Sequence, residues 1–221
     1  FRRLVFDELC ANFFTLSENR NRIKKEKLPK KFLKKNSTNI EKALPFILTK
    51  SQQKVLEEIN KDLLSKKRMF RIVQGDVGSG KTIVSLLAIS NIIESGYQCA
   101  LMGPTEILAK QHYELAKIIY KDANFKIDFL TGKTESKKRK EILMNLENGI
   151  TNLLIGTHAL FQKKINFKKL GLAIIDEQHK FGVKQRSELA KKGGDNCDVL
   201  LMSATPIPRT MMMSLYGDMD I

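Results

Sequence analysis

The stretch Gly75-Asp76-Val77-Gly78-Ser79-Gly80-Lys81-Thr82 constrains this chain more than any other, because GxxxxGK[ST] is a phosphate-binding loop with a fixed structural setting. Its glycines let the backbone curl so that successive N–H groups point inward at phosphate oxygens. A helix must open at Lys81, since its positive N-terminal end favours an anion. Lys81 is expected to reach the β- and γ-phosphates of ATP, and the Thr82 hydroxyl to bind Mg²⁺. The motif needs a strand before it and a helix after it. The apolar run Phe70–Val73 and the helical pattern over 81–94 stand in those places.

The same alternation continues along the chain. Short apolar runs lie at Phe70–Val73, Cys99–Met102, Phe125–Leu130, Leu153–Ile155, Leu172–Ile175 and Val199–Met202. Amphipathic helices are expected at 51–64, 81–94, 106–120, 136–147 and 184–191, with Thr105 as an N-cap and Gly96 and Gly149 as helix stops. This pattern predicts an α/β fold, a P-loop parallel sheet with helices on both faces. Residues 1–43 read differently. A helix is expected from residue 3 to about 26, then the basic stretch KKEKLPKKFLKKN, in which Pro29 stops any continuing helix. They are read as a helix and linker toward a domain that precedes the ATP-binding domain at 44–221.

A second acidic site follows from the run Leu172-Ala173-Ile174-Ile175, which ends in Asp176-Glu177-Gln178-His179. A buried strand ending in two carboxylates, downstream of a phosphate loop, fits the other half of an ATPase. Asp176 is expected to hold Mg²⁺, directly or through water. Glu177 is expected to orient and deprotonate the attacking water. Hard oxygen ligands and phosphates suit magnesium.

The 221 residues carry 39 basic and 24 acidic side chains, a formal charge of +15 that favours a polyanionic partner. Thirty of the basic residues are Lys, and clusters such as Lys24 to Lys35 are equally readable as solvated surface. No apolar run reaches the roughly 18 residues of a membrane-crossing helix. The three cysteines are far apart and form no CxxC, which argues against a zinc site or a disulfide framework.

The tetrapeptide Asp176–His179 resembles motif II of the superfamily 2 helicases, and other motifs of that superfamily fall in order. Phe46-x-Leu48-Thr49-x-x-Gln52 resembles the adenine-reading Q motif, and Gly103-Pro104-Thr105-Glu106-Ile107-Leu108-Ala109 resembles motif Ia. Thr131-Gly132-Lys133 and Gly156-Thr157-His158 resemble the strand-contacting motifs, and Ser203-Ala204-Thr205 resembles motif III. The strings LPFILTKSQQ, PTEILAKQH, GTHALFQ, DEQHKFGVKQR and SATPIPRT are similar to those of the RecG family of bacterial ATP-dependent DNA helicases. The resemblance covers residues 44–221, and the FDEL segment near the N-terminus is also similar.

This resemblance implies a cytoplasmic, monomeric motor that remodels forks and Holliday junctions in recombination and repair. It implies a wedge domain and a second motor domain with arginines that complete the ATP site. It also implies that Phe46 stacks on adenine, or else packs in the core, and that Thr49 and Gln52, or Gln53, serve the adenine end. His179, Ser203, Thr205 and Arg209 would couple phosphate state to DNA grip, and Gln185 and Arg186 continue the motif II string. Transcription-repair coupling factors are similar, but usually carry Glu where Gln178 stands. A DNA-binding module with a structural ATP site is the remaining alternative, which the intact Lys81, Asp176 and Glu177 oppose.

The spacing also places the second ligand. Every motif loop follows a strand end, and open parallel sheets bind ligands beyond those ends. Pro104, Thr105, Gly132, Lys133, Thr157 and His158 are therefore expected to meet a DNA backbone, through hydroxyl, imidazole, ammonium and backbone donors. Few aromatic residues lie in these loops, so backbone contact is favoured over base stacking. Each also has a plainer role: Thr105 as a helix cap, His158 half-buried, Lys133 solvated. His112 lies on a helix outside any motif, and the sequence assigns it no role. The Met211–Met213 run reads as core or as an interface with the second domain.

Overall fold

The computed structural model describes Arg3, Cys10 and residues 26–30, 40–41, 44–162, 164–176 and 194–204. Six strands form one sheet: β1 (Phe70–Gln74), β2 (Gln98–Met102), β3 (Ile127–Leu130), β4 (Leu153–Gly156), β5 (Leu170–Ile175) and β6 (Asp198–Ser203). Their spatial order is β1-β6-β5-β2-β4-β3, and every neighbouring pair is parallel. Among the described residues, α1 (Lys50–Leu64) precedes β1, and α2 (Lys81–Glu94), α3 (Glu106–Ile119) and α4 (Ser136–Asn148) follow β1, β2 and β3. The helices expected at residues 3–26 and 184–191, and the run Met211–Met213, lie outside the described residues apart from Arg3 and Cys10, both helical.

A parallel sheet covered on both faces buries both side-chain sets of its inner strands. β2, β4, β5 and β6 are buried at every position. Alternate residues then sort into two cores. Cys99, Leu101, Leu153, Ile155, Leu172, Ile174, Leu200 and Met202 pack with residues of α1, α2 and α3. Ala100, Met102, Leu154, Ala173, Ile175, Val199 and Leu201 pack with Ile142 and Leu146 of α4 and with Leu160.

Helix α2 is buried from Val84 to Ile93, which explains its nearly unbroken apolar sequence. Its polar side chains are satisfied locally. Ser85 Oγ donates to Thr82 O at 2.8 Å, Ser90 Oγ to Leu87 O at 2.7 Å, and Asn91 Nδ2 to Asn60 Oδ1 at 2.8 Å. The expected caps are present. The Thr105 side chain accepts from Leu108 N at 3.2 Å, and Gly149 ends α4 in the left-handed conformation.

One expectation about charge is changed by the fold. Part of the basic stretch after the N-terminal helix is not solvated surface. Lys27 and Lys30 are 6% and 2% exposed, and both ammonium groups reach the Asp198 carboxylate at the start of β6. Lys27 Nζ lies 2.7 Å from both Asp198 oxygens, Lys30 Nζ also donates to Asn196 O, and Met69 N donates to Asp198 Oδ1 at 2.6 Å. Glu26 forms an antiparallel bridge with Lys67. Residues 26–30 are thus fixed to the domain body by a buried ionic cluster.

Candidate nucleotide and nucleic-acid edge

The carboxyl ends of all six strands lie along one edge. In sheet order that edge carries the phosphate loop after β1, Ser203 ending β6, Asp176 after β5, Gly103 after β2, Thr157 after β4 and Thr131 after β3. The first three belong to the expected nucleotide site, and the last three to the expected second-ligand site. Asp176 and Gly103 sit at the boundary, where Asp176 N donates to Met102 O at 2.9 Å.

The phosphate loop is built by its glycines. Gly78 and Gly80 have φ of +81° and +85°, a region L side chains rarely adopt. A methyl group on Gly80 would also stand 2.3 Å from Gln52 Nε2. Gly75 N donates to Ser203 O at 3.2 Å, joining the loop to the end of β6, and Ser79 N closes a turn onto Asp76 O at 3.1 Å. Lys81 Nζ donates to Gly75 O at 2.6 Å and Asp76 O at 2.8 Å. Asp76, Val77, Gly78 and Ser79 are exposed, as a loop that wraps a ligand must be.

Gln52 has a structural task beside the expected one. Its Oε1 accepts from Thr49 N at 2.9 Å and its Nε2 donates to Ser79 O at 2.9 Å, while Gln52 N donates to Thr49 Oγ1 at 3.2 Å. Thr49 and Gln52 form a capping box at the start of α1, and the same amide braces the phosphate loop. Each end of the amide makes one such bond, which leaves one Nε2–H and one Oε1 lone pair for a further partner. Gln53 is exposed. Phe46 is 47% exposed, which opposes the core-packing reading.

Asp176 is only 9% exposed. Its Oδ2 lies 2.8 Å from Nε2 of His112, which is 7% exposed. A carboxylate can only accept, so the imidazole donates its Nε2–H. Sequence reading gave His112 no role, although it ends the string PTEILAKQH, because nothing local shows that it meets a residue 64 positions away. Thr82, in the first turn of α2, and Asp176, after β5, offer one hydroxyl and one carboxylate on the same half of the edge. That oxygen donor set fits Mg²⁺, which is held by one or two carboxylates together with phosphates. Among the described residues no three His, Cys, Asp or Glu side chains converge as a metal cage would require. Glu177, His179, Gln185, Arg186, Thr205 and Arg209 lie outside the described residues. Ser203 is fully buried at the end of β6.

On the other half of the edge, Thr105, Gly132, Lys133 and His158 are exposed and Pro104 is half-buried. Thr157 is 3% exposed, so its hydroxyl faces protein and His158 is the accessible member of that pair. Close backbone packing fixes these loops. A methyl group on Gly103 would stand 2.8 Å from Ala109 N, and one on Gly156 would overlap Leu130 O at 2.0 Å. Lys133 Nζ pairs with Glu106 Oε2 at 3.0 Å across two of the loops. The hydrogen bond from Lys133 holds the Glu106 carboxyl below the usual carboxylate range, helped by Thr131 and by the charge of His158. The pair therefore persists through neutral pH and is lost only as pH falls through that lowered value.

Three comparisons with known proteins bear on the family and the fold. The DEAD/DEAH box helicase family profile matches residues 49–213. The ATP-dependent DNA helicase RecG of Aquifex aeolicus is 48% identical over 100% of this chain, and the Streptococcus pneumoniae RecG is 46% identical over 100%. The chain spans 28% and 33% of those two relatives. The structure of RecG bound to a three-way DNA junction overlays on 99% of the chain and 29% of its own length, with a TM-score of 0.88 at 42% identity. A structure of S. cerevisiae Dbp5 overlays on 85% of the chain with a TM-score of 0.62; at 18% identity this likeness speaks to the fold alone.

Proposed function

We propose, since this chain belongs to the DEAD/DEAH box helicase family, that it is the first motor domain of a RecG-type ATP-dependent helicase acting on branched DNA. The observation that carries the proposal is the shared edge. Asp176, after β5, stands directly beside the Gly103 loop, after β2, with the phosphate loop farther out on one side and the loops at Thr157 and Thr131 farther out on the other, so the two expected sites meet at Asp176 and Gly103.

In this reading the N–H groups of Gly75 to Thr82 receive the phosphates of ATP, and Lys81 exchanges its loop carbonyls for the β- and γ-phosphate oxygens. Thr82 and Asp176 would hold Mg²⁺, which when bound neutralises charge developing on those oxygens. Glu177 would orient the attacking water and take its proton. Phe46 would flank the adenine. Gln52, fixed to both Thr49 and Ser79, would transmit the position of α1 to the loop.

The DNA backbone would contact Thr105, Lys133 and His158, with Pro104, Gly132 and Thr157 shaping the loops that present them. Contact with phosphates suits a motor that must pass over any sequence. Ser203, at the end of β6 and bonded to Gly75 N through its carbonyl, lies between the phosphate loop and Asp176 in sheet order and would sense the nucleotide. His179, Thr205 and Arg209, with Gln185 and Arg186, would complete the coupling. A wedge domain and a second motor domain elsewhere in the full-length protein would grip the branch point and close the ATP cleft. Residues 1–43 lead toward the preceding domain, and the protein would act on DNA in the cytoplasm as a monomer.

The test is Lys81→Ala in the full-length protein. Losing one preorganised donor to the transferred phosphate is expected to lower DNA-stimulated ATP hydrolysis by about 10²–10³ in kcat. Circular dichroism should remain that of the parent, since Lys81 bonds only loop carbonyls among the described residues. Retention of DNA-stimulated activity would refute the assignment of the site.

A further inference from the structure

His112 sits where a side chain can join the two halves of the edge. It belongs to α3, whose N-cap is the exposed Thr105. It lies about two helical turns, roughly 10 Å, along that helix from the cap. From there its imidazole reaches Asp176 on a different strand end, 2.8 Å away and with both groups largely buried. The start of the same helix is fixed at both sides: Gly103 N donates to Gly156 O at 2.9 Å, and Ala109 backbone packs against Gly103. Lys133 binds Glu106 on the first turn. Helix α3 therefore has the DNA-facing loops at one end and the metal-site carboxylate on its flank.

We propose that His112 is a positioning residue, which fixes the orientation of the Asp176 carboxylate and transmits displacement of the Thr105 end of α3 to the metal site. The proposal rests on the nucleotide and DNA reading above. Its physical content is rigidity. A packed helix moves as a unit, so a strand phosphate that shifts Thr105 shifts His112, and with it the carboxylate that His112 holds. A buried carboxylate without this donor loses a charge-assisted hydrogen bond and part of its fixed orientation. Groups that orient a metal ligand from behind typically change metal affinity or activity by about 10–100-fold when replaced.

The experiment uses the full-length protein with His112→Leu, which keeps bulk and removes the donor, and His112→Gln, which keeps a donor. His112→Ala is added in case leucine crowds the site. Mn²⁺ binding in the presence of ADP is read by electron paramagnetic resonance. ATP hydrolysis is read against Mg²⁺ concentration with and without forked DNA, and thermal unfolding is read alongside.

The variants lacking a donor should bind Mn²⁺ about 10–100-fold more weakly and need correspondingly more Mg²⁺ for half-maximal rate, with diminished DNA stimulation. Glutamine should restore most of each. Unchanged Mn²⁺ binding in a folded donor-less variant would overturn the proposal. So would equal impairment of the glutamine variant in step with a lowered unfolding temperature, since that marks a packing role. Wild-type protein lacking DNA-stimulated hydrolysis would instead refute the motor reading, and the Mn²⁺ comparison would still decide the case of His112.

Discussion

The 221-residue chain by itself is expected to hydrolyse ATP about 10³–10⁵-fold more slowly than the full-length protein on DNA. Phosphoryl transfer is catalysed by placing charge around the three equatorial oxygens, and an arginine from a partner domain supplies much of it. Among the described residues, Lys81 is the cation that the phosphate loop itself provides. The chain spans 28% of the Aquifex aeolicus relative, and resemblance to that family implies that the remaining arginines stand on a second motor domain. The phosphate loop is then half of a catalytic site. ATP should still bind, weakly, because the loop is formed within this chain. Steady-state phosphate release by the isolated chain, with and without single-stranded DNA, measures this. Fast, DNA-stimulated turnover by these residues alone would show that the cleft is misplaced.

Asp198→Ala is expected to destabilise the domain by about 3–5 kcal/mol at neutral pH. The aspartate is fully buried and compensates two buried ammonium groups, Lys27 and Lys30, while accepting from Met69 N. Removing it leaves two like charges facing each other without their counter-ion. Residues 26–30 should detach, and the start of β6 should lose its tie to Met69.

The pH dependence has a definite sign. Burial lowers the pKa of Lys27, opposed by the Asp198 charge and helped by Lys30. The folded state therefore releases this proton more readily than the unfolded chain, whose lysines titrate near the usual 10.4. Stability gained by deprotonation appears as pH rises through the lowered value toward that ordinary one. Without Asp198 the lowering is greater, so the penalty of the substitution should shrink between neutral and alkaline pH. Urea denaturation of parent and variant at about pH 7 and about pH 9.5 would check both magnitude and trend. A penalty near zero, or one that grows with pH, would contradict this account of the cluster.

Most of the fold was legible from short-range pattern. Each expected strand lies within one of the six observed strands, apart from Phe125–Leu130, and 51–64, 81–94, 106–120 and 136–147 match the four helices to within a residue or two. The exception has a physical reason. Phe125 is apolar because its ring packs on Tyr120 with centroids 5.3 Å apart, although β3 starts only at Ile127. Burial in a loop looks like burial in a strand when only hydrophobicity is read.

The phosphate loop was legible because its chemistry is contiguous. The His112–Asp176 bond and the Lys27–Lys30–Asp198 cluster were not, because each joins residues far apart in the chain, 64 and up to 171 positions. A buried lysine inside a Lys-rich run carries no local mark that separates it from its solvated neighbours. Gln52 was found for the right place, but its structural task was not foreseen. Its spacing from Thr49 is that of a capping box, and the structure uses the amide for that and for Ser79.

The central claim is that the loop at Gly75–Thr82 fuels movement along DNA held on the same sheet edge. It is tested most directly by ATP hydrolysis of the full-length protein with forked DNA, linear DNA and none. The account predicts slow hydrolysis alone, stimulation by linear DNA and the strongest stimulation by forks. Equal rates in all three conditions would contradict it.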